Sequence, residues 1–127
     1  MILFCDENIP QAIAQAIRPL VDFPVVHLLE ELDQATPDEA IFLHVSSKGS
    51  AFLLTQDAKI RRRPHQLEAL KQAGLGAFVV SGTAQRTMPE LAILIIRALP
   101  AIRTAAGSTR RPFVFSINDR SRLDQLI

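Results

Sequence analysis

The stretch MILFCDENIP, residues 1–10, sets the problem. Four apolar residues, Ile2, Leu3, Phe4 and Cys5, run without alternation and stop against Asp6, Glu7 and Asn8. A short continuous apolar run is the pattern of a strand covered on both faces, as in a parallel sheet with helices on either side. Two carboxylates and an amide at its end are either a loop that caps the next helix or the start of an ion site.

Outward from that strand the same alternation recurs. Ile9, Ala12, Ile13, Ala16, Ile17 and Leu20 stand at helical spacing and predict an amphipathic helix with Gln11, Gln15 and Arg18 outside. PVVHL (24–28) predicts a second strand. In TPDEAIFLHV (36–45), Thr36 reads as an N-cap, Pro37 as the first helical residue and Glu39 as the closing member of a capping box. AFLLT (51–55) is a third strand, PHQLEALKQAG (64–74) a helix ended by Gly74, and GAFVVSG (76–82) a fourth strand. TMPELAILIIRALPAI (87–102) reads as a long apolar helix disturbed at Pro100, and RPFVFSI (111–117) as a fifth strand. Residues 103–111 read as a mobile loop, and the polar tail beyond Asn118 has no clear pattern. Strands alternating with helices imply parallel crossovers. The expected fold is α/β, a three-layer α/β/α sandwich with a mainly parallel, about five-stranded sheet, forming a single domain over residues 1–127.

Composition narrows the function classes. Apolar residues make up 48% of the 127 and charged residues 21%, a globular balance. Fourteen Lys and Arg against thirteen Asp and Glu leave a net charge of +1, so charge has to be read locally. The single cysteine, Cys5, excludes a disulfide framework and fits a reducing compartment. Asp6 interrupts the start of the chain before any signal-like stretch, and residues 91–96 are cut by Arg97 and Pro100, short of the ~20 a bilayer span needs. The expectation is a soluble, cytoplasmic protein with no membrane partner.

Topology gathers the acids. In such folds ligands bind beyond the carboxyl ends of the strands. Asp6 follows the first strand and Asp57 the third, while Asp38 lies in the first turn of the helix leading into the third. A crossover helix runs antiparallel to its strands, which returns Asp38 to the same edge. Ile41, Phe42 and Val45, three, four and seven positions on, turn it inward. Carboxylates brought together repel and raise one another's pKa unless a cation lies between them. Hard oxygen ligands with open positions suit Mg²⁺ or Mn²⁺. Each acid also has an ordinary role. Asp38 complements a helix dipole, Asp57 suits a post-strand turn, and Asn8 with Gln11 can cap the first helix. Asp6 is the hardest to dismiss, because a carboxylate on a buried strand is costly without a partner.

Directly after Asp57 comes AKIRRRP, with Lys59, Arg61, Arg62 and Arg63 in a nearly neutral chain. Acids that hold a metal, flanked by cations that hold phosphates, are what phosphodiester cleavage requires. The ordinary reading is a solvated turn. There is no Trp or Tyr for base stacking, and the seven Phe residues read mostly as core.

FCDENIP (4–10), PDEAI (37–41), LLTQDAKIRRRP (53–64) and RPFVFSI (111–117), in this order, resemble the short PIN-like domains grouped with toxins of VapBC-type toxin–antitoxin systems. The resemblance implies a metal-dependent ribonuclease, with the family's acids falling on Asp6, Asp38 and Asp57 and with Thr55 supporting Asp57. Glu7, Asn8 and Thr55 would support the metal shell, Lys59, Arg61, Arg62 and Arg63 would position RNA, and Mg²⁺ or Mn²⁺ would be the cofactor. An antitoxin protein is the implied partner, and a homodimer is an open alternative. The family pattern has a further acid between the first and the helix acid. Here Glu30, Glu31 and Asp33 in LLEELDQ compete for that place.

Two other classes compete. A phosphoacceptor receiver domain would bind Mg²⁺ through Asp6 and Glu7 and phosphorylate Asp57. Against it, AKIRRRP replaces the M-P-x-x-x-G stretch expected after the acceptor, and no lysine follows the fifth strand. A catalytically inactive binding module would instead use the apolar helix 88–102 as its surface. His27, His44 and His65 show no paired zinc spacing, Ser81-Gly82 lacks the nucleophile-elbow pattern, and Asp119 and Asp124 read as solvated charge.

Overall fold

The structure is a computed structural model that describes residues 1–57, 60, 62–82 and 85–127. In chain order its strands are β1 (Ile2–Cys5), β2 (Val25–His27), β3 (Ala51–Thr55), β4 (Gly76–Val80), β5 (Phe113–Ile117) and β6 (Leu123–Gln125). The helices are α1 (Gln11–Ile17), α2 (Asp38–Ser46), α3 (Pro64–Ala73) and α4 (Met88–Ser108), with short 3-10 turns at Arg18–Leu20 and Leu28–Glu30. All six strands join one sheet in the order β2-β1-β3-β4-β5-β6. The first five pair in parallel, and β6 runs antiparallel to β5.

Strand alternation distributes the side chains to two cores. Leu3, Cys5, Phe52, Leu54 and Phe78 pack with α1 and α4 on one face. Phe4, Leu53, Ala77 and Val79 pack with α2 and α3 on the other. The fold is therefore the expected three-layer α/β/α sandwich, and the unbroken apolar runs of β1, β3 and β4 follow from burial on both faces. The Phe113 and Phe52 rings pack over Gly76, where an added Cβ would lie 2.5 Å from the first and 2.8 Å from the second. Gly74 ends α3 in the left-handed conformation with φ of 67°.

Several local expectations are corrected. The Thr36 capping box does not form: α2 begins at Asp38, Pro37 occupies the N-cap position, and the Thr36 hydroxyl donates to the Asp33 carbonyl. The first helix buries Ile13, Ala14 and Ile17 but not Ala12 or Ala16, and Leu20 falls in the 3-10 turn that follows it and is exposed. Residues 103–108 are helix rather than a mobile loop. α4 passes through Pro100, which sits on its exposed side. An interior proline costs a helix about 3 kcal/mol. Here the buried stripe Leu91, Leu94, Ile95, Ala98, Ile102 and Ala105 outweighs it. With that stripe α4 is long and apolar enough to cross a bilayer by length and composition. The polar tail adds the sixth strand, Ser116 facing Asp124.

Candidate functional site

The strand order places a switch point between β1 and β3: β2 follows β1 on one side, and β3 lies on the other. Crevices open at such points beyond the carboxyl ends of the strands. Asp6 is the first residue past β1, and its amide still donates to the Leu54 carbonyl at 2.9 Å, which keeps the chain in register with β3. Its parity is that of Phe4, so its side chain lies on the α2/α3 face. Thr55 shares that face by the same count from Leu53.

Asp6 is buried, only 8% exposed, and tied at both oxygens. The Thr55 hydroxyl donates to its Oδ2 at 2.7 Å, and the Glu7 amide donates to its Oδ1 at 2.8 Å. Thr55 then accepts from the Asp57 amide at 3.0 Å and from Asn8 Nδ2 at 3.1 Å, so one hydroxyl uses its whole hydrogen-bonding capacity. Asn8 clips the two strand ends together. Its Oδ1 accepts from the Gln56 amide at 3.0 Å, and its carbonyl accepts from Gln56 Nε2 at 2.7 Å. That removes the capping role with Gln11: α1 has Pro10 at its N-cap and no side-chain cap. Glu7 is exposed and accepts a long contact, 3.4 Å, from the Ala35 amide.

Asp38 comes from the far end of the sequence separation but not of the fold. α2 and α3 pack side by side, and Gln66, the third residue of α3, donates from Nε2 to Asp38 Oδ2 at 2.6 Å. Burial pushes the Asp38 carboxyl above its ordinary value, and the charges of Asp57 and Asp6 push it further, while Arg63 opposes them. Asp6 is raised chiefly by burial, against the Thr55 and Glu7 hydrogen bonds, with Glu7 and Asp57 adding repulsion. The acids from three segments thus feel one another across one edge. Among the described residues, however, no group of three His, Cys, Asp or Glu side chains stands close enough to share an ion.

The structure separates the acids that competed for the fourth place. Glu30 pairs with Arg18, which holds its carboxyl below the usual range, and Glu31 pairs with His44 at 2.8 Å. Asp33 instead lines, with Asp6, Glu7 and Thr36, a cavity of about 10 Å³, room for a single water. Of the basic run, Arg62 and Arg63 are exposed, and Arg63 is close enough to act on Asp38. Lys59 and Arg61 lie outside the described residues.

Residues 1–82 match the family model of the PIN like domain. The chain belongs to the PIN-like domain family. Neither the curated proteins nor the solved structures give a match. The match covers β1 through β4 and with them every acid at the switch point, so the PIN-like chain carries a nuclease-type fold. The order β2-β1-β3-β4-β5 is also that of receiver domains, so strand order alone does not separate the two. The family match does.

His27 and Gln66 are the polar residues whose roles sequence reading missed. His27, 1% exposed, bonds the Ile9 carbonyl through Nε2 at 2.7 Å and accepts from the Leu29 amide through Nδ1, which ties β2 to the start of α1. Gln66 had a signal: it stands four residues before Leu70 and seven before Ala73, a polar residue in an apolar stripe. It is 6% exposed, and its Oε1 is buried with no hydrogen-bond partner among the described residues. An unmet buried acceptor costs about 1–3 kcal/mol.

Proposed function

We propose that this PIN-like protein is a Mg²⁺- or Mn²⁺-dependent endoribonuclease that cleaves RNA phosphodiester bonds through Asp6, Asp38 and Asp57. The observation that carries the reading is the convergence of these acids: burial raises the Asp38 carboxyl, and Asp57 and Asp6, which approach it from other segments, raise it further. A fold that sets acids against one another at its switch point is relieved by a cation.

The donor set suits a hard divalent ion in its chemistry. Asp6, Asp38 and Asp57 offer carboxylate oxygens, and Mg²⁺ commonly keeps several waters, so direct contact from all three is not required. When bound, such an ion supplies an acidified water and positive charge at the scissile phosphate. The chain's own residues do the positioning. Thr55 and the Glu7 amide hold the Asp6 carboxylate in one orientation, and Thr55 fixes the turn that carries Asp57. Asn8 locks the ends of β1 and β3 at a constant separation. Asp33 is the acid best placed to extend the set, since Glu30 and Glu31 are committed to Arg18 and His44. Arg62 and Arg63, with Lys59 and Arg61 of the same run, hold RNA phosphates beside the acids.

The likeness of DENIP and TQDAKIRRRP to VapBC-type toxins extends the proposal to a toxin kept silent by an antitoxin in the cytoplasm, where Cys5 stays reduced and buried. A second reading, a catalytically silent PIN-like binding module, is favoured by the spacing of the described acids, which do not close on a common ion.

Cleavage of a mixed RNA pool separates the two. Purified protein is incubated with Mg²⁺, with Mn²⁺ and with EDTA, beside an Asp57→Asn variant. Metal-dependent cutting that disappears in the variant supports the nuclease. RNA binding without cutting in any lane, at protein in excess over RNA, sinks it in favour of the binding module.

A further inference from the structure

Gln66 is a buried polar side chain on the apolar stripe of α3. It occupies a position on the buried stripe of α3, with Leu70 one turn on, where an apolar residue of the same length would fill the space. As glutamine it leaves Oε1 buried without a hydrogen-bond partner among the described residues. What it gains is a single bond, the 2.6 Å donation from Nε2 to Asp38 Oδ2. The orientation of the amide follows from chemistry. Turned over, it would set a carbonyl oxygen against a carboxylate oxygen, two acceptors with no proton between them once Asp38 is ionised.

Asp38 has little else to orient it. It sits in the first turn of α2 with no side-chain cap, partly exposed, and under the like charges of Asp57, Asp6 and Glu39. An aspartate so placed has several side-chain orientations within reach. The bond from α3 selects one, occupies Oδ2, and leaves Oδ1 to a ligand.

We propose that Gln66 is a positioning residue for Asp38, holding one carboxylate oxygen so that the other is presented to a divalent cation at the switch point. The inference rests on the metal-dependent reading above, and goes beyond it in assigning a role to a residue of α3 that carries no charge and touches no substrate. Groups that orient a metal ligand commonly change affinity by ~10–100-fold when removed. The alternative is that Gln66 is a strut between α2 and α3.

The two roles move stability in opposite directions. Replacing a strut by an apolar residue loosens the helix pair and lowers the melting temperature. Replacing a positioning residue removes the orphaned carbonyl as well as the bond to Asp38, so the protein keeps or gains stability while losing hold on the ion. Mn²⁺ binding is read by electron paramagnetic resonance, and thermal unfolding is followed in EDTA, for the full chain and for Gln66→Met, Gln66→Leu and Asp38→Asn. The expected result is Mn²⁺ affinity ~10-fold weaker in Gln66→Met, with a melting temperature unchanged or raised by ~2–4 °C. Gln66→Leu should behave the same way, which guards against poor fit of one side chain. Wild-type affinity in both Gln66 variants, with affinity lost in Asp38→Asn, overturns the positioning role and leaves the metal site standing. A fall in melting temperature in both Gln66 variants assigns the strut. If the wild-type protein binds no Mn²⁺, the metal reading and this inference fall together.

Discussion

Over β4 and β5 the carboxyl edge of the sheet carries its charge in matched form, whereas over β1 and β3 acid is set against acid. Asp119, just past β5, pairs with Arg86, which also donates to the Ser81 carbonyl at 2.7 Å at the end of β4. Arg86 is nearly covered, and an added Cβ on Gly82 would lie 2.6 Å from its guanidinium. That corner is closed by its own ion pair. At the other corner Asp6 and Asp38 are raised by burial and by neighbouring acids, and the nearby cation that acts on Asp38, Arg63, opposes them only weakly. The same residue type at the same edge is thus structural where the chain supplies a counter-charge. Asp6 and Asp38, whose carboxyls are raised by burial and by neighbouring acids, are candidate ligands.

The comparison is broken most directly by changing one acid at each corner. Asp6→Asn and Asp57→Asn should each reduce metal-dependent RNA cleavage by at least ~10²-fold, the scale of losing a group that fixes the reacting centre. Asp6→Asn should melt at or above the wild-type temperature, because burial, and with it the charges of Glu7 and Asp57, raise the Asp6 carboxyl. Asp119→Asn should cut RNA at the wild-type rate. Equal loss of cleavage in all three would erase the distinction between the corners.

How much of this was legible is best seen at the two corners themselves. The switch-point acids were readable because β1 and β3 are unbroken apolar runs with an abrupt polar end, and topology then dictates the edge. The start of α2 was readable only to within a residue or two, since Pro37 suits both the cap and the first turn. What pattern could not give was partnership between distant polar side chains. Asn8 looked like a helix cap because its local neighbours allow that, and only the register of β1 with β3 brings Gln56 to it. Arg86 with Asp119, and Gln66 with Asp38, are likewise pairs whose members lie 33 and 28 residues apart. α4 was underestimated for the opposite reason. The local cost of Pro100 is visible in sequence, and the compensating burial is not.

The basic run sharpens the contrast from the substrate side. Replacing Arg62 and Arg63 together by Ala should weaken RNA binding by roughly tenfold at moderate salt. It should also reduce the slope of log affinity against log salt by about 1.4, two phosphate contacts at ~0.7 each on a single strand. Binding is measured in the Asp57→Asn background so that cleavage does not interfere. An unchanged slope would mean that the run is a solvated turn and that phosphates are held elsewhere.

Proton linkage gives a test that needs no RNA. Asp6 and Asp38 have folded-state values above the ordinary 3.8. Between 3.8 and the raised values the folded protein binds more protons than the unfolded chain, so stability falls as pH rises through that window. The contribution is fully present below 3.8 and lost above the folded values. Glu30, lowered by Arg18, works in the opposite sense, so the measurement is a difference between wild type and variant. In EDTA, the melting temperature of wild type relative to Asp38→Asn should drop by a few °C from the acid to the neutral side of the window, and Mg²⁺ should restore it. A flat difference across pH would mean that the acids do not strain the fold.

The smallest effect belongs to the matched corner. The Arg86–Asp119 pair has a well-covered guanidinium but a carboxylate side chain that is 68% exposed. Solvent screens such a pair, and its worth is about 0–1 kcal/mol. Asp119→Asn keeps a hydrogen-bond acceptor for Arg86, and should lower the melting temperature by no more than ~2–4 °C. Arg86→Ala should cost more than Asp119→Asn, because it also leaves the Ser81 carbonyl without its side-chain donor. If the order is reversed, the carboxylate rather than the guanidinium is the anchor of that corner. Asp119 would then deserve the same scrutiny as the acids over β1 and β3.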